Sequence, residues 1–133
     1  MTLVISNCSK RKRFPVDSSL QARDLPTGST ESVASAWGTR ISAAAVTSRA
    51  DALYCGRAFI EARRAARDSG GKLAIVSAGL GLIDGHASVP AYSLTTVPKD
   101  VDNVLSKTAE MATDWWDGPV RLTPRSRKPP YPA

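Results

Sequence analysis

The chain opens on a short apolar run, Leu3-Val4-Ile5, closed by the small polar residues Ser6 and Asn7. An unbroken apolar run of this length, bounded by polar residues, is the pattern of a strand buried in a parallel sheet. A second run, Lys72-Leu73-Ala74-Ile75-Val76-Ser77, follows Ser69-Gly70-Gly71, a tripeptide suited to ending a helix. Between the two lies the clearest helical periodicity in the chain, from Ala50 to Asp68. There Ala58, Phe59, Ala62, Ala65 and Ala66 share one face, and Arg57, Glu61, Arg64 and Asp68 alternate in sign on another. Strand, crossover helices and strand predict a right-handed parallel unit. The expected fold class is therefore α/β, a small Rossmann-like parallel sheet flanked by helices.

The flanking segments fill in this outline. Phe14 to Thr30 carries Pro15, Pro26 and Gly28 among Ser and Asp, so it reads as a long loop of the kind that serves as a lid or binding segment. Ser29 or Thr30 can cap a helix that turns Val33, Ala36, Trp37 and Ile41 inward, with Gly38 its weak point. Ala78 to Gly85 reads as a glycine-rich turn. Val89 to Leu94 is expected to be extended, because Pro90 disfavours helix in the residue before it. Val101 to Trp116 is again helical in pattern. From Gly118 onward come five prolines, four basic residues and no acid, which predicts little fixed structure. Residues 1–117 are thus expected to form one α/β domain and residues 118–133 a basic, proline-rich tail. The abrupt change after Trp116 leads us to expect a truncated or frame-altered C-terminus.

Composition narrows the class. A length of 133 residues suits one domain with one core, and 42% hydrophobic with 23% charged residues suits a folded chain. No apolar run approaches the roughly 18 residues that cross a bilayer, and the N-terminus lacks a secretory signal. We expect a cytoplasmic protein with no membrane partner. Cys8 and Cys55 are the only cysteines and His86 the only histidine, so neither a disulfide framework nor a zinc site is expected, and no metal is assigned. The net charge of +6 favours an anionic partner, a nucleic acid or a phosphorylated ligand. Lys10, Arg11, Lys12 and Arg13 form one basic cluster; Arg121, Arg125, Arg127 and Lys128 form another within the tail. Only the first bears on a folded surface.

In open parallel sheets, ligands bind outside the carboxyl ends of the strands, and two loops begin there. Ser6 to Lys12 offers hydroxyls, the Cys8 thiol, and Lys10 and Lys12, a set able to hold an anion with backbone N–H groups and ammonium charge. Ser77-Ala78-Gly79-Leu80-Gly81 offers small residues that let the backbone approach a flat or phosphorylated ligand. Neither loop matches a Walker or dinucleotide-binding pattern.

Four pieces in order, Cys8-Ser9-Lys10-Arg11-Lys12, Leu53-Tyr54-Cys55-Gly56-Arg57, Ser77-Ala78-Gly79-Leu80-Gly81-Leu82 and Pro90-Ala91-Tyr92, carry a resemblance. They resemble a family of bacterial and phage domains with the pattern C-S-x-x-K … L-Y-x-G-R … S-A-x-x-G-L … P-x-Y. That family is itself distantly similar to the peroxide-stress protein YaaA. The resemblance spans about Leu3 to Leu94; Leu80 departs from it, standing where the distant relatives have an aromatic residue. It implies a Rossmann-like core with a pocket built from these motifs. It also implies DNA binding and protection from oxidative damage, or a nucleotide or nucleobase ligand in base modification and phage defence. Residue by residue, Cys8, Ser9 and Lys12 match the first motif, Tyr54, Gly56 and Arg57 the second, Ser77 and Gly81 the third, and Pro90 and Tyr92 the fourth. Taken with the two loops, the expected ligand-binding residues are Ser6, Ser9, Lys10, Lys12, Tyr54, Gly56, Arg57, Ser77, Gly79, Gly81 and Tyr92, with Cys8 the catalytic candidate.

Each residue also has a plainer reading. Cys8 can be packing rather than a nucleophile, which needs a cation such as Lys10 or Lys12 to lower its pKa. Lys10 to Arg13 can be a solvated charge run. Arg57 opposes the helix dipole, so either Glu61 or an anionic ligand is expected to compensate it. Tyr54 and Tyr92 can stack on a base or be half-buried tyrosines with bonded hydroxyls. His86 is expected to be exposed and idle. Three functions stay open. One is a domain that binds a nucleotide, nucleobase or nucleic acid, as an enzyme acting on a base or an N-glycosidic bond with Cys8 or an Asp as nucleophile or base. Another is a non-enzymatic accessory protein that docks a protein partner through Pro129, Pro130 and Tyr131. The third is a thiol-redox protein using Cys8 and Cys55.

Overall fold

Two strands and the helix between them build the centre of the domain. A computed structural model describes residues 2–108 and 112–117; the tail expected at 118–133 lies outside the described residues. Strand β1 (Leu3–Asn7) pairs in parallel with β3 (Lys72–Ser77), in register from Leu3 opposite Lys72 to Asn7 opposite Val76. Helix α3 (Arg57–Ser69) makes the crossover and packs on both strands. It stops where Gly70 takes the left-handed conformation (φ 67°) and donates its N–H to the last turn, a conformation that favours glycine.

Two departures from the sequence pattern have clear causes. The helix expected from Ala50 is broken into α2 (Ala50–Leu53) and α3, because the backbone between them bonds elsewhere. Arg13 N–H donates to the Leu53 carbonyl (2.8 Å) and Cys55 N–H to the Arg11 carbonyl (3.0 Å), which claims residues 53–55 for an extended bridge. Nor does the glycine-rich stretch stay a turn. It reverses within residues 78–80 and returns as β4 (Gly81–Asp84), antiparallel to β3 from Ser77 opposite Gly81 to Ala74 opposite Asp84. The sheet is ordered β1-β3-β4 and is partly parallel, partly antiparallel.

Around this sheet the loop from Phe14 carries two 3-10 turns, at Ser18–Leu20 and Ala22–Asp24. Ser29 caps α1 (Thr30–Ala43) by accepting the Ser32 N–H, and the helix buries Val33, Ala34, Trp37, Gly38 and Ile41. A two-residue ladder joins β2 (Ser48–Arg49) to β5 (Ser88–Val89). Among the described residues of the stretch expected to be helical, Leu105–Thr108 (α4) and Ala112–Asp117 (α5) are helical. Among the described residues no helix is long and apolar enough to cross a membrane.

The sheet's two faces differ. Leu73, Ile75, Ser77 and Ile83 point into the core with Trp37, Leu53, Phe59 and Leu80. On the opposite face Leu3, Ile5 and Leu82 are 55, 62 and 53% exposed. Burial therefore predicts opposite costs for truncation on neighbouring strands. In urea denaturation Ile75→Ala is expected to cost about 2–5 kcal/mol through its cavity. Leu82→Ala, on the open face, should stay within about 0.5 kcal/mol of wild type.

Candidate functional site

The chain leaving β1 is pinned residue by residue. Cys8 N–H donates to the Val76 carbonyl at 2.9 Å, carrying the strand pairing one position further. Ser9 Oγ donates to the Arg11 carbonyl (2.8 Å) and accepts the Gly56 N–H (3.0 Å), tying the loop to the start of α3. A Cβ on Gly56 would meet Ser9 Cβ at 2.6 Å, so this approach requires glycine. Lys12 then pairs with Tyr54 in an isolated antiparallel bridge. The bridge brings the Lys12 side chain over two aromatic rings, its Nζ 4.9 Å from the centroid of Tyr92 and 5.9 Å from that of Tyr54.

Beneath the ammonium lies a buried network of hydroxyls. Tyr54, Tyr92 and Ser77 are each fully buried. The two phenol oxygens lie 2.5 Å apart, and the Tyr92 hydroxyl also bonds the Ser77 hydroxyl. Ser77 Oγ further accepts the N–H groups of Gly79 (3.2 Å) and Leu80 (3.0 Å), which shapes the turn into β4. Two tryptophans hold the same turn from outside: Trp37 Nε1 donates to the Gly79 carbonyl (2.7 Å) and Trp115 Nε1 to the Ala78 carbonyl (2.8 Å). Burial pushes both phenols well above the ordinary tyrosine value, with nearby Cys8 adding to the shift. Both therefore remain neutral at physiological pH and supply no tyrosinate to balance Lys12.

The two lysines of the loop have different surroundings. Lys10 forms an ion pair with Asp100. Lys12 has no carboxylate within ion-pair distance among the described residues, and its protein acceptor is the Lys10 carbonyl at 3.2 Å. Burial lowers the Lys12 pKa from the ordinary lysine value and Lys10 lowers it further, while Cys8, Asp100 and Asp102 oppose the change. Cys8, Lys10, Lys12, Asp100 and Trp116 line a cleft of about 380 Å³ with the segment Ser93–Val97.

Asp102 anchors that far wall. Its carboxylate accepts Arg23 Nε (3.0 Å), a terminal Arg23 nitrogen (2.8 Å), the Arg23 backbone N–H (3.0 Å) and the Ser93 hydroxyl (2.5 Å). Burial alone would raise its pKa, but these bonds together hold the carboxyl down at about 2.

The structure thus brings Cys8, Ser9, Lys10 and Lys12 to the cleft, and Tyr54, Ser77 and Tyr92 to the layer below it. Gly79 packs against the Tyr92 ring, with no room for a Cβ, and Gly81 starts β4. Ser6 bonds the Asn7 carbonyl one position before the cleft. Gly56 serves the Ser9 contact, and Arg57 is exposed at the start of α3, outside the cleft lining. Glu61 pairs with Arg64 at 3.8 Å rather than with Arg57. His86 is exposed and lies 3.9 Å from Asp51. Among the described residues no three His, Cys, Asp or Glu side chains are grouped to hold a metal.

Sequence reasoning missed Asp100, Asp102, Arg23 and the two tryptophans that brace the turn. The sequence signal was present in Asp100-x-Asp102 after Pro98, a pattern suited to side-chain-bonded turns more than to the helix expected there. No family model, curated protein or solved structure matches the chain.

The Asp102 bonds make stability depend on pH in a defined direction. The carboxyl binds protons more readily unfolded, near 3.8, than folded, near 2. Its contribution is therefore complete above about pH 4 and lost as pH falls towards 2. Thermal unfolding between pH 5 and 2 should show this loss, and Asp102→Asn should flatten it while lowering stability at pH 7.

Proposed function

We propose that this domain binds a nucleotide, nucleobase or nucleic acid in the cleft at the ends of β1 and β3. The observation that supports this is Lys12, which has no carboxylate partner among the described residues and is held over two tyrosine rings in the lining of a cleft. A phosphate offers the missing countercharge, and the adjoining wall of Leu94, Thr95 and Trp116 suits a flat, partly polar group. The β1-α3-β3 unit is read as part of a Rossmann-like core. The order of the four motifs supports a YaaA-related domain working in DNA modification, stress or phage–host conflict in the cytoplasm. As an enzyme it would act on a base or an N-glycosidic bond, with Cys8 and Lys12 the nucleophilic side chains at the cleft.

A second reading, an accessory protein that binds a protein partner, is favoured by one observation. Leu3, Ile5 and Leu82 leave an apolar sheet face open. Partner capture that is lost with Ile5→Lys, and unaffected by Lys12→Ala, would favour that reading.

Thermal shift with adenosine monophosphate, guanosine monophosphate, free nucleobases and single-stranded DNA tests the ligand proposal. A ligand at about a hundred times its Kd adds about 2.7 kcal/mol, which raises Tm by roughly 10 °C for a domain of this size. Lys12→Ala should abolish the shift and Arg57→Ala should leave it. No shift with any of these probes overturns the proposal.

A further inference from the structure

The donor balance at Lys12 leads beyond binding. A lysine ammonium carries three N–H donors. At this position the described residues provide one acceptor, the Lys10 carbonyl at 3.2 Å, and otherwise the faces of Tyr92 and Tyr54. The phenol oxygens are turned towards each other and Ser77, so they are already engaged. Burial in this setting weighs against the charged ammonium. A protonated imine on the same nitrogen has a single N–H, which the Lys10 carbonyl can satisfy. It also keeps its positive charge over the two rings, so the cation–π attraction survives the change.

We propose that Lys12 is a nucleophilic amine that forms an imine with the aldehyde carbon of a ligand in the cleft. The inference rests on the phosphate-binding part of the nucleotide reading and takes as its substrate class an open-chain aldose phosphate, whose C1 is an aldehyde and whose phosphate adds the countercharge. The step is balanced without a further reagent. The ammonium loses a proton and its lone pair bonds the carbonyl carbon; the carbonyl oxygen then leaves as water, taking two protons in all. Ammonium plus aldehyde become a protonated imine plus water, with no change of net charge. Three features favour the reaction here. The bridge to Tyr54 fixes the base of the side chain. No carboxylate ties up the nitrogen, unlike that of Lys10. Burial, finally, raises the share of free amine at neutral pH.

The test is reductive trapping of the full chain with ribose 5-phosphate and cyanoborohydride, read by peptide mass mapping. Lys12 should be modified severalfold faster than the exposed Lys72 and Lys99, because the cleft holds the aldehyde beside its nitrogen and burial favours its free amine. Lys12→Arg, which keeps the charge over the rings, should remove the fast site and leave the slow ones. Equal labelling of Lys12, Lys72 and Lys99 overturns the inference. If adenosine monophosphate still stabilises the protein in that case, the binding proposal stands alone. Fast labelling of Lys12 without stabilisation by any nucleotide would instead keep the nucleophile and remove the nucleotide reading.

Discussion

Three hydroxyls, from Ser77, Tyr92 and Tyr54, meet in the buried centre of the domain and come from three separate stretches of chain. Two buried phenols are costly to desolvate unless bonded. Their mutual bonds therefore fix where the end of β3, the start of α3 and the segment after β5 sit relative to one another. Much of the site follows from this. The Ser77 oxygen also receives two backbone N–H groups, so the same atom that orients Tyr92 sets the turn into β4. Tyr54 in turn is the strand partner of Lys12. The ammonium is therefore placed by a chain of contacts running from the sheet through the tyrosines to the loop.

That loop separates two like charges by their surroundings. Lys10 reaches Asp100 and becomes part of the cleft's rim, an ion pair between an exposed lysine and a largely buried aspartate. Lys12, two residues on, is drawn inward by the bridge to Tyr54 and meets aromatic faces instead of a carboxylate. Burial and the neighbouring positive charge both work against its charged form. This difference between the two nitrogens is what the proposed binding and imine chemistry rest on.

The opposite wall is held by a different kind of constraint. Asp102 is almost fully buried and receives four hydrogen bonds, three of them from Arg23 in the long N-terminal loop. This connects the loop expected to act as a lid with the Ser93–Val97 wall. The cleft therefore has one wall set by strand geometry and backbone bridges, and another set by a charge-assisted cluster. Beyond it the sheet keeps one face open, with Leu3, Ile5 and Leu82 exposed, whereas purely parallel sheets ordinarily bury both faces.

The elements that depend on local pattern were legible in the residues themselves. The apolar runs mark β1 and β3, and Ser29 marks the start of α1. The alternating charges of Arg57 to Asp68 mark α3, and Gly70 marks its end. The short motifs around Cys8, Tyr54, Ser77 and Tyr92 were legible as candidates, because polar residues at strand ends are where a sheet presents its chemistry. What required the tertiary structure was every relation between segments. β4 turns antiparallel because Ser77, Trp37 and Trp115 together stabilise a tight reversal that glycine spacing alone does not specify. Asp100 and Asp102 matter through Lys10 and Arg23, partners about 80 to 90 residues away, so no local pattern could show them. The sequence by itself determined which residues could hold charge near the end of β1. Only the folded structure decided that Lys10 is neutralised and Lys12 is not, because that depends on which carboxylate lies within a few ångströms and how much water remains around each nitrogen.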